Sequence, residues 1–419
     1  MRQTINRLRR PMLVIGVIAT IGTLILVISR ASSSYISLET EDGSIVGANI
    51  RLDSMASGGK YVLFGDSATS ENCSKGGKYL WDNLEKCGWP GPNNTGVNMS
   101  ECPNGLTPLG SSITSITTIK TENTTIECKE VKGSLNITAQ NVTIKNSKVS
   151  YDAGGPTKGG SGVIKILDDA SATIEQVELD GMNKTHACIF NLGVKGKTLK
   201  YSMIVKKVNC HNASDGIFSW YSAPGSDYPS KYPNTASDSI IEDSYLHDFT
   251  EGAANGHIDG YQTQGTSNGI IRRNTFNVFI RPGDTHVIGG GLNSAMAIWN
   301  VSNNVSNYEI SNNLISGGNF TIYAYDRHPE VKPPENGGNG VGGYYVKGVK
   351  VLNNSFSNYF NKCIGKYGVW FERPQWPPLF GGPTGGWSSS NTTDSNYRSG
   401  NKVLETGLNL DTGNPAGCK

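Results

Sequence analysis

Glu309-Ile310-Ser311-Asn312-Asn313-Leu314-Ile315 is one of eight copies of the same phrase. Each copy has a β-branched aliphatic residue, mostly polar residues often including Asn, and a second apolar residue five places on. The key aliphatics are Ile126, Ile144, Ile174, Val205, Ile241, Ile271, Ile310 and Val351. The later partners are Val131, Val149, Leu179, Cys210, Leu246, Phe276, Ile315 and Phe356. The steps between key residues are 18, 30, 31, 36, 30, 39 and 41. A period of roughly 20–50 residues signals a repeat architecture. Outside the N-terminus no segment carries a long 3.6-residue period, so the repeated unit is made of strands.

A second short apolar run follows the phrase in most repeats: 163–166, 188–190, 216–220, 260–262, 296–299, 321–325 and 368–371. Short strands with one turn of chain per repeat stack in parallel at about 4.8 Å. Aliphatic residues then pile up in a lumen, and Asn146, Asn274, Asn313 and Asn354 are placed to form side-chain ladders at the corners. The expected fold is all-β, a right-handed parallel β-helix, the hand following from the crossover preference of parallel strands.

Charged residues make up 17% of the 419-residue chain, and 52 residues are Gly. Low charge with abundant Gly suits a turn-rich extracellular β protein. A net charge of +2 argues against a nucleic-acid partner. Arg2, Arg7, Arg9 and Arg10 precede an apolar run from Met12 to Ile28. Residues 1–30 therefore read as a cytoplasmic basic stub with a signal-anchor helix, favoured over a cleaved signal, and either exports the rest. Cys73, Cys87, Cys102, Cys128, Cys188, Cys210, Cys363 and Cys418 are even in number and contain no CxxC pair, which suits disulfides outside the cell. Cys363 with Cys418 is the pairing proposed for the C-terminal end. Asn93, Asn123, Asn136, Asn300 and Asn391 open glycosylation sequons, which matter only in a host that modifies them.

Five regions follow. Residues 1–30 are the anchor, and 31–70 a linker in which SLETEDGSIVGANIRLDSMASGGKYVLFG (37–65) resembles the opening of a jelly-roll carbohydrate-binding module. Residues 71–112 form an N-terminal cap, 113–372 the β-helix and 373–419 a C-terminal cap. The segments GWPGPNNTGV (88–97), TTIECKEVKGSLNITAQNVTIKNSKV (124–149) and HIDGYQ (257–262) resemble secreted members of the pectate-lyase-like superfamily. That resemblance spans about 105–372 and implies a carbohydrate-active protein: a lyase, a hydrolase, an epimerase or a non-catalytic binder.

The residues bordering the second strands carry the candidate chemistry. Asp215-Gly216-Ile217-Phe218 matches Asp259-Gly260-Tyr261-Gln262, so stacked repeats would set Asp215 beside Asp259. Two neighbouring carboxylates push one pKa up, the requirement for an acid beside a base. The alternative is an ordinary Asp-Gly turn ladder. His257 would project from the same face. A lyase needs a base, with His257, Arg273 and Arg327 as candidates, and a cation against the substrate carboxylate, with Arg272, Arg327 and Lys366 as candidates. Arg272 and Arg273 are adjacent, so one of them needs a bulge or turn to face outward. No cofactor is indicated with certainty; calcium is the one considered, with Asp215, Asp243 and Asp259 as oxygen donors but no calcium-loop motif. The polygalacturonase pattern is absent beyond Asp259-Gly260: Asp168-Asp169 comes too early, and Gly289-Gly290-Gly291 has no His.

Trp220, Tyr221, Tyr261, Gln262, Trp299, Tyr323, Tyr325, Asp326 and Trp370 are the expected substrate-binding set, an aromatic stripe for stacking on sugars. The expected function is an extracellular enzyme acting on a polysaccharide, a lyase before a hydrolase, with Asp215, His257, Asp259 and Arg327 as its catalytic residues. A cell-surface glycan-binding protein or adhesin is the alternative.

Overall fold

A computed structural model describes residues 48–52, 60–64, 72–155, 160–167, 170–192, 201–220, 238–250, 257–279, 292–299, 305–325, 346–371 and 396–418. The chain divides into two units, Met1–Gly65 and Asp66–Lys419. In the first, Ala48–Leu52 pairs antiparallel with Lys60–Phe64. The anchor segment 1–30 lies outside the described residues. Among those described, no helix is long and apolar enough to cross a membrane.

The second unit is all-β and dominated by one long parallel sheet system. All eight key aliphatics stand in direct register, Ile126 on Ile144, Ile144 on Ile174, Ile174 on Val205, and onward to Ile310 on Val351. The second apolar positions run likewise from Val131 to Phe356. A third file passes through Ile164, Ile189, Ile217, Tyr261, Met296, Ile322 and Trp370. These three files fill one apolar core, nearly all of it inaccessible to solvent. Inward packing of β-branched residues explains why the period is legible: each repeat contributes one residue to each file.

Two residues after each key position the backbone turns left-handed. Cys128, Asn146, Gln176, Lys207, Asp243, Arg273, Asn312 and Asn353 all have φ between 44° and 55°. The next position carries the corner ladder. Asn274 donates through Nδ2 to Asn313 Oδ1 at 3.0 Å, Asn313 to Asn354 at 2.9 Å, and Asn354 to Asn401 at 3.0 Å. Each amide also donates to a backbone carbonyl of the preceding repeat, of Ile241, Ile271 and Ile310. Asn146 is not in this ladder. It occupies the left-handed corner, bonds Glu101, and leaves the ladder position to Ser147.

The pairing runs on past 372. Tyr397–Ser399 pairs with Lys350–Leu352, and Lys402–Val403 with Ser355–Phe356, which makes a ninth repeat. Its key position is Arg398, buried because the guanidinium lies 4.4 Å from the Trp370 ring and Nε donates to the Asp411 carbonyl.

Residues 72–106 do not cap the first repeat. They form a strap along the side of the stack. At one end the Gly77 amide donates to Glu405, Trp81 Nε1 donates to Ser357 Oγ at 2.9 Å, and Leu80 and Leu84 pack on Tyr245 and Leu314. Midway the Gly96 amide donates to the Lys207 carbonyl. At the other end Asn146 bonds Glu101, and Cys102 is joined to Cys128. The reason is the apolar side made by Leu80, Leu84 and Cys87, which finds its partners on the outer face of the sheet. All eight cysteines are paired: 73–87, 102–128, 188–210 and 363–418, the last as expected. Four disulfides point to an oxidising, extracellular compartment.

Candidate functional site

The second strands Ala172–Asn191, Asn209–Trp220, Ile258–Gln264 and Leu292–Trp299 lie side by side in parallel. Ile217 pairs with Tyr261, which brings Asp215, two residues earlier, to the level of Asp259. The Asp259 amide donates to Asp215 Oδ1 at 3.0 Å. The Asp-Gly pairs are therefore strand, not turn. Glycine is required because the next repeat comes so close: a Cβ on Gly216 would sit 2.2 Å from the Gly260 carbonyl oxygen, and one on Gly260 2.7 Å from that of Ala295.

Asp215 is 1% exposed and Asp259 fully buried. Asn293 Nδ2 donates to both oxygens of Asp259, at 2.9 and 3.1 Å, and Ser294 Oγ donates to Oδ1. Burial outweighs these donors and pushes the Asp259 carboxyl up to about 7. Asp215 is pushed well above the usual carboxylate range, by burial first and by the charge of Asp259 second. Burial thus favours the protonated form of both carboxyls, and the charge of Asp259 favours it further at Asp215.

His186 completes the group. The Gly160 amide donates to its Nδ1 at 3.3 Å, which makes Nδ1 the acceptor and assigns the ring proton to Nε2. Nε2 faces Asp215 Oδ2 at 3.4 Å. Burial lowers His186 to about 4, so the ring is neutral at physiological pH. Phe218 meets it edge-on at 5.8 Å, and Phe190 packs against Phe218 at 5.0 Å. These rings form an apolar patch outside the core and account for the desolvation of His186 and Asp215.

An outward file runs beside the carboxylates: Lys165, Phe190, Phe218, Gln262, Ala297 and Tyr323. Tyr323 stacks on Phe371 at 4.1 Å and meets Trp299 edge-on, and Trp299 in turn meets His257 at 5.7 Å. Trp299, Tyr323 and Gln262 thus belong to the outer side, with Trp299 and Gln262 buried. Two members of the expected stripe are corrected. Tyr261 stands in the inward file and hydrogen-bonds Tyr308 across the lumen at 2.9 Å. Trp370 also faces in, its Nε1 donating to the Leu410 carbonyl. Neither ring is placed to stack on a sugar. Tyr221, Asp326 and Arg327 lie outside the described residues, as do the side chains of Trp220 and Tyr325.

The ring of His257 is exposed and lies against Trp299, while its carbonyl accepts a bond from Ser214. Arg272 and Arg273 do both reach the outer surface, because Arg273 sits at the left-handed corner. They are bound there by Glu242 and Asp243 at 2.8–2.9 Å. Asp243 is held by that contact, so Asp215, Asp243 and Asp259 do not assemble into one calcium set. Among the described residues, no group of three or more His, Cys, Asp or Glu side chains is arranged to hold a metal. His186, Asn293 and Ser294 were visible in the sequence only as polar residues bordering second strands. Their roles come from register between repeats tens of residues apart.

No protein-family model matches this chain, and no curated protein matches it.

Proposed function

We propose that this protein is an extracellular carbohydrate-active enzyme that cleaves a polysaccharide, and that Asp215 and Asp259 are its acid/base pair. The stack of repeats is read as a right-handed parallel β-helix, held at the cell surface by the basic and apolar segment 1–30. The observation that carries the reading is the pair itself: two buried carboxyls on consecutive repeats, linked by the Asp259 amide donating to Asp215 Oδ1, both raised above the usual carboxylate range and Asp259 to about 7. A structural ladder has no need of carboxylates, since amides satisfy the same backbone at the Asn corner without a desolvated charge.

One protonated and one ionised carboxyl side by side favour glycoside hydrolysis, in which the acid protonates the leaving oxygen and the base activates water. This moves the balance away from elimination, because Arg272 and Arg273 are bound by Glu242 and Asp243. Arg327 remains the cation that elimination would use. His186 positions Asp215 rather than acting on substrate, as both ring nitrogens are directed at protein groups. A glycan-binding protein without turnover is the second reading, favoured by the burial of both carboxyls beside an aromatic file.

The test is a polysaccharide panel incubated with the purified full-length protein, following reducing ends and unsaturated-uronate absorbance together. Reducing ends alone are expected. Absorbance growth would reassign the site to a lyase, and binding without either product would sink the enzyme reading.

A further inference from the structure

The file that contains Asp215 begins two repeats earlier with small residues. Gly162 pairs with Ala187, and Ala187 with Asp215. Three places further along each strand, the outward file flanks it with Lys165, Phe190 and Phe218. The stem of Lys165 is closely packed: a Cβ on Gly162 would come within 2.9 Å of Phe190 Cβ and 3.1 Å of Lys165 Cγ. Nζ lies over the Phe190 ring, 5.6 Å from its centroid, so the side chain leans from its own repeat towards that of Asp215. Elsewhere on the outer surface Lys145, Lys148 and Lys206 are held by Glu127, Glu178 and Glu175. Lys165 is half-buried, and among the described residues no carboxylate pairs with it. Burial lowers its pKa and no neighbouring charge restores it. A ring face is a weaker partner for an ammonium than a hydrogen-bonded anion. A partly desolvated ammonium without an internal counter-charge is set for an anion from outside.

We infer that Lys165 recognises an anionic substituent of the glycan, a carboxylate or a sulfate, on a sugar one or two units from the bond that Asp215 and Asp259 cleave. This rests on the reading of that pair as glycan-cleaving. Two strand steps separate Lys165 from the repeat of Asp215, roughly 10 Å at the usual strand spacing, and the lean over Phe190 shortens this. An extended glycan advances by a comparable distance to one strand step per sugar. The anion is therefore bound away from the reacting unit. Lys165 selects which polymers are accepted and takes no proton in the reaction. Its ammonium is a compact point charge without the planar fork of arginine, so a planar carboxylate and a tetrahedral sulfate both suit it.

The test is binding of the full-length protein to two matched polymer series, cellulose and dextran derivatives in neutral, carboxymethylated and sulfated form. The wild type is expected to prefer an acidic form to its neutral parent. Lys165→Gln is expected to weaken that binding roughly tenfold and to leave the neutral polymers unchanged. Lys165→Arg, which keeps the charge, is expected to stay close to the wild type. Lys206→Gln, which removes a lysine of another strand file, is expected to change nothing. A loss confined to the carboxymethylated forms assigns a carboxylate, and one confined to the sulfated forms a sulfate ester. Equal affinities in the wild type and Lys165→Gln overturn the inference, as do the same loss in Lys206→Gln and the absence of binding to every acidic polymer. Reducing ends are followed in parallel. A Lys165-dependent preference without new reducing ends keeps the anion site and sinks the acid/base reading. Reducing ends formed equally by the wild type and Lys165→Gln on every acidic polymer, with equal affinities, do the reverse.

Discussion

Two stacks of side chains run along this molecule and invite comparison. At one corner Asn274, Asn313, Asn354 and Asn401 pass hydrogen bonds from repeat to repeat. On the outer side of the second strands, Asp215 and Asp259 do the same over one step. Both stacks are buried and both are in register. They differ in charge. The amides are neutral and carry donors as well as acceptors, so burial costs them little once bonded. The carboxyls are acceptors only when ionised, and burial forces the pair to keep a proton. Stacking alone is how this fold builds a corner. A desolvated, titrating charge within a stack needs a further reason, and the proposed acid/base role is one.

The largest expected effect breaks the amide side. Asn313→Ala removes the acceptor of Asn274 and the donor to both Ile271 and Asn354. A loss on the order of 3 kcal/mol is expected, read as a lower urea midpoint. Asp259→Asn on the other side is expected to leave the midpoint at pH 7 unchanged or raised, because it removes a buried carboxyl that folding must keep protonated.

The next effect is the pH dependence. Asp215 and Asp259 are raised above their unfolded value of 3.8, so the folded chain binds the extra proton. Their contribution to stability is full below that value and is lost as pH rises through the raised folded values, about 7 for Asp259. His186 has the opposite sign. Its folded value is lowered to about 4 from 6.5, so its contribution is present above 6.5 and lost as pH falls towards 4. The double variant Asp215→Asn/Asp259→Asn is expected to lose the decline between pH 4.5 and 7.5, and His186→Gln to lose part of the acid-side decline. Melting temperatures across pH 4–8 read both.

The smallest effect belongs to the outer corner. Arg273 is part-exposed and paired with Glu242 and Asp243. Arg273→Ala is expected to cost about 1 kcal/mol or less and to leave polysaccharide turnover unaltered. A large loss of turnover would bring this arginine back into the site.

The repeat was legible because lumen packing admits few residue types, so Ile and Val recur at spacings the eye can follow. The Asp215–Asp259 stack was legible for a related reason: aligning the second strands aligned the dipeptides. The ninth repeat was hidden because Arg398 stands where the other eight have an aliphatic residue, its charge accommodated by Trp370 and the Asp411 carbonyl. The strap was read as a cap because a Cys- and Gly-rich segment shows no period, and its route depends on the few apolar residues that dock on Tyr245 and Leu314. Tyr261 and Trp370 were taken for surface aromatics because alternation fixes two faces without saying which is inside. The Tyr308 hydroxyl across the lumen settles Tyr261.

The most direct test of the acid/base pair compares the wild type with Asp259→Asn on whichever polysaccharide of the panel yields new reducing ends. The variant is expected to lose turnover by roughly 10²–10⁴-fold with an unchanged or higher melting temperature. Turnover retained in Asp259→Asn, or no product from the wild type on any polysaccharide, would show that the carboxyl stack is a ladder after all.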